Sequence, residues 1–237
     1  MQTLSNDRIG NFTASSGHKL FTGGKTSETY IFEKAEEKVT GRQKEFSNKH
    51  TDHGLIYEAE ALHHFTELTG LLCESLGNEY FPINENCGAT PDAKIVNFDN
   101  VILASVDAKC PTTTFFKQKI DFIRQSKPKY QHVPKEYFIQ GQLQMMALTA
   151  HNLKLGHPPV LEHYLVRYLT SSDTDYFGNT IEYDLPLEER IFYQNIVADF
   201  EIQEQFLQLV DNAVLERDIV VKLLKSTFNQ LEQLDLI

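Results

Sequence analysis

Apolar side chains recur at Leu55, Ala59, Leu62, Phe65 and Leu68, in steps of three and four, so residues 54–69 (GLIYEAEALHHFTELT) read as an amphipathic α-helix. Two shorter helices precede it. Residues 13–21 (TASSGHKLF) have Thr13 as an N-cap and close at Gly23-Gly24, and residues 27–39 (SETYIFEKAEEKV) stop near Gly41. The polar stretch 42–52 reads as a loop. The period then changes. Residues 79–83, 87–97 and 101–109 read as strands, with a turn at Asn97-Phe98-Asp99-Asn100 between the last two. The run from Val101 to Val106 is apolar on both faces, as in a central strand. Residues 134–150 return to helix, with Pro134 at the first helical position. Residues 160–169 and 179–184 read as strands around the turn SSDTDYFGN, and 187–233 as two further helices. The order predicts an α/β (α+β) fold: a central mixed β-sheet flanked by helices, with a C-terminal helical extension. A single domain over 1–237 is expected, its core at about 7–185 and its helical tail at about 187–237.

Composition adds exclusions. Of 237 residues, 41% are apolar and 23% charged, which argues against disorder. No run of about 18 apolar residues predicts a membrane span, and MQTLSNDR lacks the apolar region of a secretion signal. Three cysteines (Cys73, Cys87, Cys110) do not make a disulfide framework, so a reducing, cytoplasmic compartment is expected. The net charge of −11 weighs against a nucleic-acid partner, because backbone binding needs Lys and Arg to displace counterions. That charge is uneven, however. Residues 51–106 hold nine acidic groups against one basic, whereas 107–135 hold seven basic against two acidic.

The chemistry-bearing block is Thr90-Pro91-Asp92 followed by Asp107-Ala108-Lys109. Neighbouring strands lie about 4.8 Å apart, so Asp92 can meet Asp107, and positions i and i+2 of one strand share a face. Two hard carboxylates beside an ammonium suit a Mg²⁺ site acting on a phosphodiester. An ordinary surface ion pair on a hairpin is the plainer alternative, although a charged pair ending an apolar central strand is unusual. Glu58 would add a third carboxylate from the helix, or else belong with Glu60 to a solvated face. Gln140 and Gln144 share a helix face with Tyr137, a polar stripe that suits a water or phosphate and equally suits solvent. Arg8 with the helix start at Thr13-Ala14-Ser15 makes an anion site, where a plain N-cap would account for Thr13 but not for the arginine.

In order along the chain, Arg8-x4-Thr13-Ala14-Ser15, His53-Gly54-x2-Tyr57-Glu58, Thr90-Pro91-Asp92, Asp107-x-Lys109-Cys110-Pro111 and Tyr137-x2-Gln140-x-Gln142 resemble the phage lambda exonuclease and YqaJ-type viral recombinase family. The resemblance runs from about residue 7 to 150 and implies the PD-(D/E)xK, restriction-endonuclease-like core. It also implies a Mg²⁺-dependent exonuclease, with Mn²⁺ as a substitute, that degrades linear double-stranded DNA from 5′ ends and leaves 3′ single strands for recombination. By position, Asp92, Asp107 and Glu58 would ligate metal, Lys109 would orient the attacking water, and Gln140 would complete the site. Arg8, Ser15 and Thr90 would hold the 5′-phosphate, Thr90 standing where the family commonly has Ser. Asp107 stands where Glu is usual. The implied partners are double-stranded DNA ends, a single-strand annealing recombinase and further copies of the chain in a trimer, with no membrane. The implied setting is the cytoplasm of a bacterial host, the protein being of phage or prophage origin. The basic stretch (Lys109, Lys117, Lys119, Arg124, Lys127, Lys129, Lys135) becomes the expected DNA track. A restriction-type endonuclease of the same fold and a catalytically silent DNA-end-binding module are the rival functions.

Other chemistries find less support. His50-x2-His53 and His63-His64 lack a cysteine pair at zinc-finger spacing, and three scattered cysteines cannot supply the four ligands of an iron–sulfur cluster. Gly23-Gly24-Lys25-Thr26 lacks the first glycine of a phosphate-binding loop.

Overall fold

The computed structural model describes residues 8–43, 49–111, 114–126, 128–174 and 180–233. Lys127, and parts of the expected loop at 42–52 and turn at 171–179, lie outside the described residues.

Five strands form the main sheet: β2 (Cys73–Ser75), β5 (Ala93–Val96), β6 (Ile102–Lys109), β7 (Glu162–Tyr168) and β10 (Ile191–Val197), in the order β10-β7-β6-β5-β2. The sheet is mixed, since β6 and β7 pair in parallel and the other pairs are antiparallel. A parallel pair needs a long crossover, and here it contains α4 (Phe115–Ile123) and α5 (Lys135–Lys154). A second small sheet joins β1 (Phe12–Thr13), β3 (Phe81–Pro82) and β4 (Cys87–Ala89), with β1 parallel to β4. A hairpin of β8 (Ser172–Thr174) and β9 (Thr180–Glu182) stands apart.

Each face of the main sheet has its own core. On one, Ala61, Leu62 and Phe65 of α3 (Lys49–Thr69) pack on Ala104, Val106 and Ala108 of β6 and Val166 of β7. The buried stripe of α3 is therefore turned relative to the expected one, for Ala59 and Leu68 are exposed. On the other face, Phe138, Ile139, Leu143 and Leu148 of α5 join α1 (Ala14–Thr22) and Phe206 and Val210 of α7 (Phe200–Gln233). Gly17 makes the α1 approach possible, as a β-carbon there would fall 2.5 Å from Leu143. The helix α2 (Gly24–Thr40) ends on Gly41, whose φ of 64° is the left-handed conformation that favours glycine.

Several expectations need correction. The loop expected at 42–52 gives way to α3 from Lys49, and the turn expected at 171–179 contains β8. The segment 87–97 is two strands in two sheets, broken at Thr90-Pro91-Asp92, because proline lacks a donor for the ladder. Pro134 is the N-cap of α5, one place before its first helical residue. The chain after 187 is not helix throughout. It makes one turn, α6 (Leu187–Arg190), and then β10, which pairs with β7 at the edge of the main sheet before α7 begins. In β10, Phe192, Gln194 and Ile196 are buried and Tyr193, Asn195 and Val197 exposed, an alternation of period two. The core therefore extends past 185, and the helical extension starts at Phe200. Among the described residues no helix is long and apolar enough to cross a membrane.

Candidate active site

With Ala104, Val106 and Ala108 committed to α3, the alternation of β6 turns Asp107 and Lys109 toward α5. Asp107 is 1% exposed. Its Oδ1 accepts hydrogen bonds from Gln140 Nε2 (2.8 Å) and Gln144 Nε2 (3.0 Å), donors one turn apart on α5. Its Oδ2 lies 2.5 Å from the Lys109 ammonium. The antiparallel register Ala93↔Val106 sets Asp92 beside Asp107, and Asp92 Oδ2 accepts the Ala108 N–H at 2.8 Å. The sequence-derived Asp92, Asp107, Lys109 and Gln140 are thus brought together, and Gln144 joins them as a second donor to the same carboxylate oxygen.

The electrostatics are those of crowded acids around one base. Burial, and then the neighbouring Asp107 charge, push the Asp92 carboxyl well above the usual carboxylate range. Burial and then Asp107 likewise raise Glu58. Burial opposes ionisation of Asp107, yet the Lys109 ammonium holds its carboxyl below the ordinary value. Burial also works against the charge on Lys109, but Asp107 and Asp92 hold it protonated. Each side of this pair carries the charge that suits the other.

Among the described residues no group of three His, Cys, Asp or Glu side chains stands ready to enclose a cation. Glu58, on the helix across the sheet, meets Asp107 and Lys109 electrostatically and does not complete a cage. Mg²⁺ commonly takes only one or two carboxylates and keeps several waters. Asp92 and Asp107, hard oxygen donors that raise the cost of each other's charge, fit such an ion.

The other predicted residues gather elsewhere. Arg8, Thr13, Ser15, Lys19, Lys34 and Arg42 line a cavity of about 450 Å³, with Glu33, Glu36 and Glu37 also in its wall. Its wall is tied together from below. Glu37 accepts the Gly10 N–H (2.9 Å) and pairs with buried Lys34 (2.8 Å), while the Thr13 N–H donates to Tyr30 Oη (3.0 Å). Arg8 Nε is buried with no hydrogen-bond partner among the described residues. Thr90 is not part of this wall. It follows β4, whose Gly88 pairs with Thr13 in the parallel register, and Ser15 belongs to α1.

The profile of the YqaJ-like viral recombinase domain matches residues 5–151, the stretch that carries every residue of both sites. The chain belongs to that family. The fold is shared by the alkaline exonuclease LHK-Exo from Laribacter hongkongensis, with a TM-score of 0.69 at 22% identity over 94% of this chain and 96% of that one. The same exonuclease in complex with dAMP gives 0.69 at 23% identity, covering 95% and 97%. A phage related exonuclease from Haemophilus somnus 129PT gives 0.68 at 18% identity, covering 92% and 96%. No curated protein matches in sequence.

Beyond the YqaJ-like stretch, the structure adds residues that sequence reasoning missed. Arg217 of α7 is 1% exposed and donates to Gly10 O and to Asn86 Oδ1, each at 3.0 Å, so the C-terminal helix clamps the loop that presents Arg8. Arg167 of β7 is fully buried beside Lys109. Its signal was available: a charge inside the apolar run HYLVRYL, as unusual as Asp107 inside ILASVDAK. The basic stretch is partly spoken for. Lys117 pairs with Asp121 at 2.8 Å and Lys119 donates to Glu189 O, while Arg124 and Lys129 are exposed.

Proposed function

We propose that this protein is a metal-dependent exonuclease that hydrolyses linear double-stranded DNA inward from 5′ ends and leaves 3′ single strands for recombination. The observation that carries the proposal is the Asp107–Lys109 pair at the end of β6, with Asp92 anchored on the strand between them. Family membership and the shared exonuclease fold support it.

In this reading Arg8 and Ser15 take the terminal 5′-phosphate in the cavity they line, and hydrolysis takes place at the end of β6. Gln140 and Gln144 hold the Asp107 carboxylate in one orientation, keeping Oδ2 turned to Lys109. Lys109 orients the attacking water and offsets the charge that grows on the phosphoryl oxygens. Asp92 and Asp107 would hold Mg²⁺ or Mn²⁺, with Glu58 as an outer carboxylate. A metal so held would supply a water of lowered pKa and polarisation of the phosphoryl group. A ring-shaped trimer in the cytoplasm of a phage-infected bacterium, handing its single-stranded product to an annealing recombinase, completes the proposal.

The test is digestion of linear duplex with 5′-phosphorylated ends in Mg²⁺. Release of mononucleotides and growth of 3′ tails are expected, with covalently closed circles left intact. Cleavage of closed circles would identify an endonuclease. Folded protein that leaves linear duplex untouched would sink the proposal. Lys109→Ala should abolish turnover and leave DNA binding in place.

A further inference from the structure

Arg167 pairs in register with Lys109 across the parallel β6–β7 ladder, so both side chains project on the α5 face. It is 0% exposed, yet among the described residues no carboxylate lies within ion-pair distance, and Asp107 and Glu136 attract it only from further away. Its Nε donates to Gln118 Oε1, its Nη1 donates to Gln194 Oε1 at 2.9 Å, and its Nη2 has no partner among the described residues. The other fully buried arginine, Arg217, has three. Burying a cation against neutral amides is unfavourable, and an apolar side chain of similar volume would serve stability as well or better. The expense is visible in the guanidinium itself, whose pKa burial pulls down to about 10.

Arg167 lies over two rings, Phe192 at 5.5 Å and Tyr137, one turn before Gln140. The guanidinium carbon lies 5.3 Å from the Tyr137 ring centroid, and the Lys109 ammonium lies 5.8 Å from the same centroid. Two cations therefore rest on one aromatic ring, both attracted to it and each repelled by the other. The repulsion from Arg167 and the attraction of Asp107 act on Lys109 in concert.

We propose that Arg167 is a positioning residue of the cleavage reaction: it braces the Tyr137 ring on which the Lys109 ammonium rests, and so confines that ammonium to Asp107. The inference rests on the nuclease proposal, because Lys109 matters only if it serves hydrolysis. Arg167 itself has no exposed surface and acts through Tyr137 and Lys109.

The test uses the full chain with Arg167→Met and Arg167→Lys. Three quantities are measured: the thermal midpoint, the acylation rate of Lys109 by an acetyl ester read by peptide mass spectrometry without DNA or metal, and kcat and KM on 5′-phosphorylated linear duplex. For Arg167→Met the midpoint should stay level or rise, and Lys109 should be acylated several-fold faster than in the wild type while the other lysines are unchanged. Its kcat should fall about 10- to 100-fold with KM within about threefold, and Arg167→Lys should recover part of the loss. An unchanged Lys109 acylation rate, an unchanged kcat, a change in KM alone, or a midpoint that falls together with kcat would each overturn the inference. If the wild type hydrolyses no DNA, the nuclease proposal fails by itself, and Lys109 acylation still decides whether Arg167 confines it.

Discussion

The α-carbon of Gly141 lies against the imidazole of His163, so close that a β-carbon would stand 2.6 Å from ring Cδ2. His163 is fully buried, and its Nδ1 is 2.8 Å from Ser105 Oγ, so the ring has no room to move aside. Gly141 sits between Gln140 and Gln144 on α5. The depth to which this helix sinks onto β7 therefore sets how well both amides reach Asp107.

Gly141→Ala should lift α5 from the sheet. An overpacking cost of about 1–3 kcal/mol is expected, offset in part by the better helix propensity of alanine. Denaturant unfolding measures the cost. Nuclease activity should fall with it, because Gln140 and Gln144 lose their distance to the carboxylate. Full activity in a folded Gly141→Ala protein would show that the amides are dispensable.

Gln144→Leu removes one of two amide donors from a carboxylate that is 1% exposed. Leaving a buried acceptor short of a donor costs about 1–3 kcal/mol. Because Gln140 still donates to the same oxygen, the single variant should keep partial activity, and Gln140→Leu/Gln144→Leu should lose more than the two single losses combined. Steady-state rates of the four proteins form the double-mutant cycle that checks this.

His163 adds acid sensitivity. Burial pulls its pKa from 6.5 down to about 4, so the folded protein keeps it neutral. Above pH 6.5 neither folded nor unfolded chain holds this proton, and His163 has no effect on stability. As pH falls from 6.5 through 4 the unfolded chain takes up the proton and the fold does not, so stability declines by about 3 kcal/mol in all and levels off below. His163→Asn should flatten that part of the stability curve, measured by urea unfolding between pH 7 and pH 4. An unchanged slope would mean that acidification acts through other groups.

Arg217→Met tests the reach of the C-terminal helix. The variant deprives Gly10 O and Asn86 Oδ1 of their donor and slackens the loop carrying Arg8. Its expected signature is a smaller rate advantage of 5′-phosphorylated over 5′-hydroxyl ends, with the rate on hydroxyl ends little changed. An unaltered ratio would detach α7 from any role at the cavity that Arg8 lines.

Much of the candidate site was legible because its residues obey short spacings. Asp107 and Lys109 are two apart on a strand, Gln140 and Gln144 four apart on a helix, and charges in apolar runs are conspicuous. Gln142 carries the limit of such reasoning. It shares the glutamine stripe in sequence but turns to the start of α7, donating to Val197 O and accepting from the Asp199 N–H. Strand β10 was hidden for a related reason. It is seven residues set between acidic helical segments, and its buried Gln194 interrupts the apolar alternation. That glutamine is explained only by Arg167 and the His132 carbonyl, which it bonds from remote segments.

The sequence by itself determined the alternation of β6, the helices that flank it and the chemical kind of the groups at its end, because period and side-chain chemistry are local properties. Only the tertiary structure decided that Glu58 stands across the sheet as an electrostatic neighbour, that α7 clamps the Arg8 loop, and that a buried arginine on β7 shares the Tyr137 ring with Lys109. Those relationships depend on which strands pair and how deeply helices pack, and these are set by contacts between residues far apart along the chain.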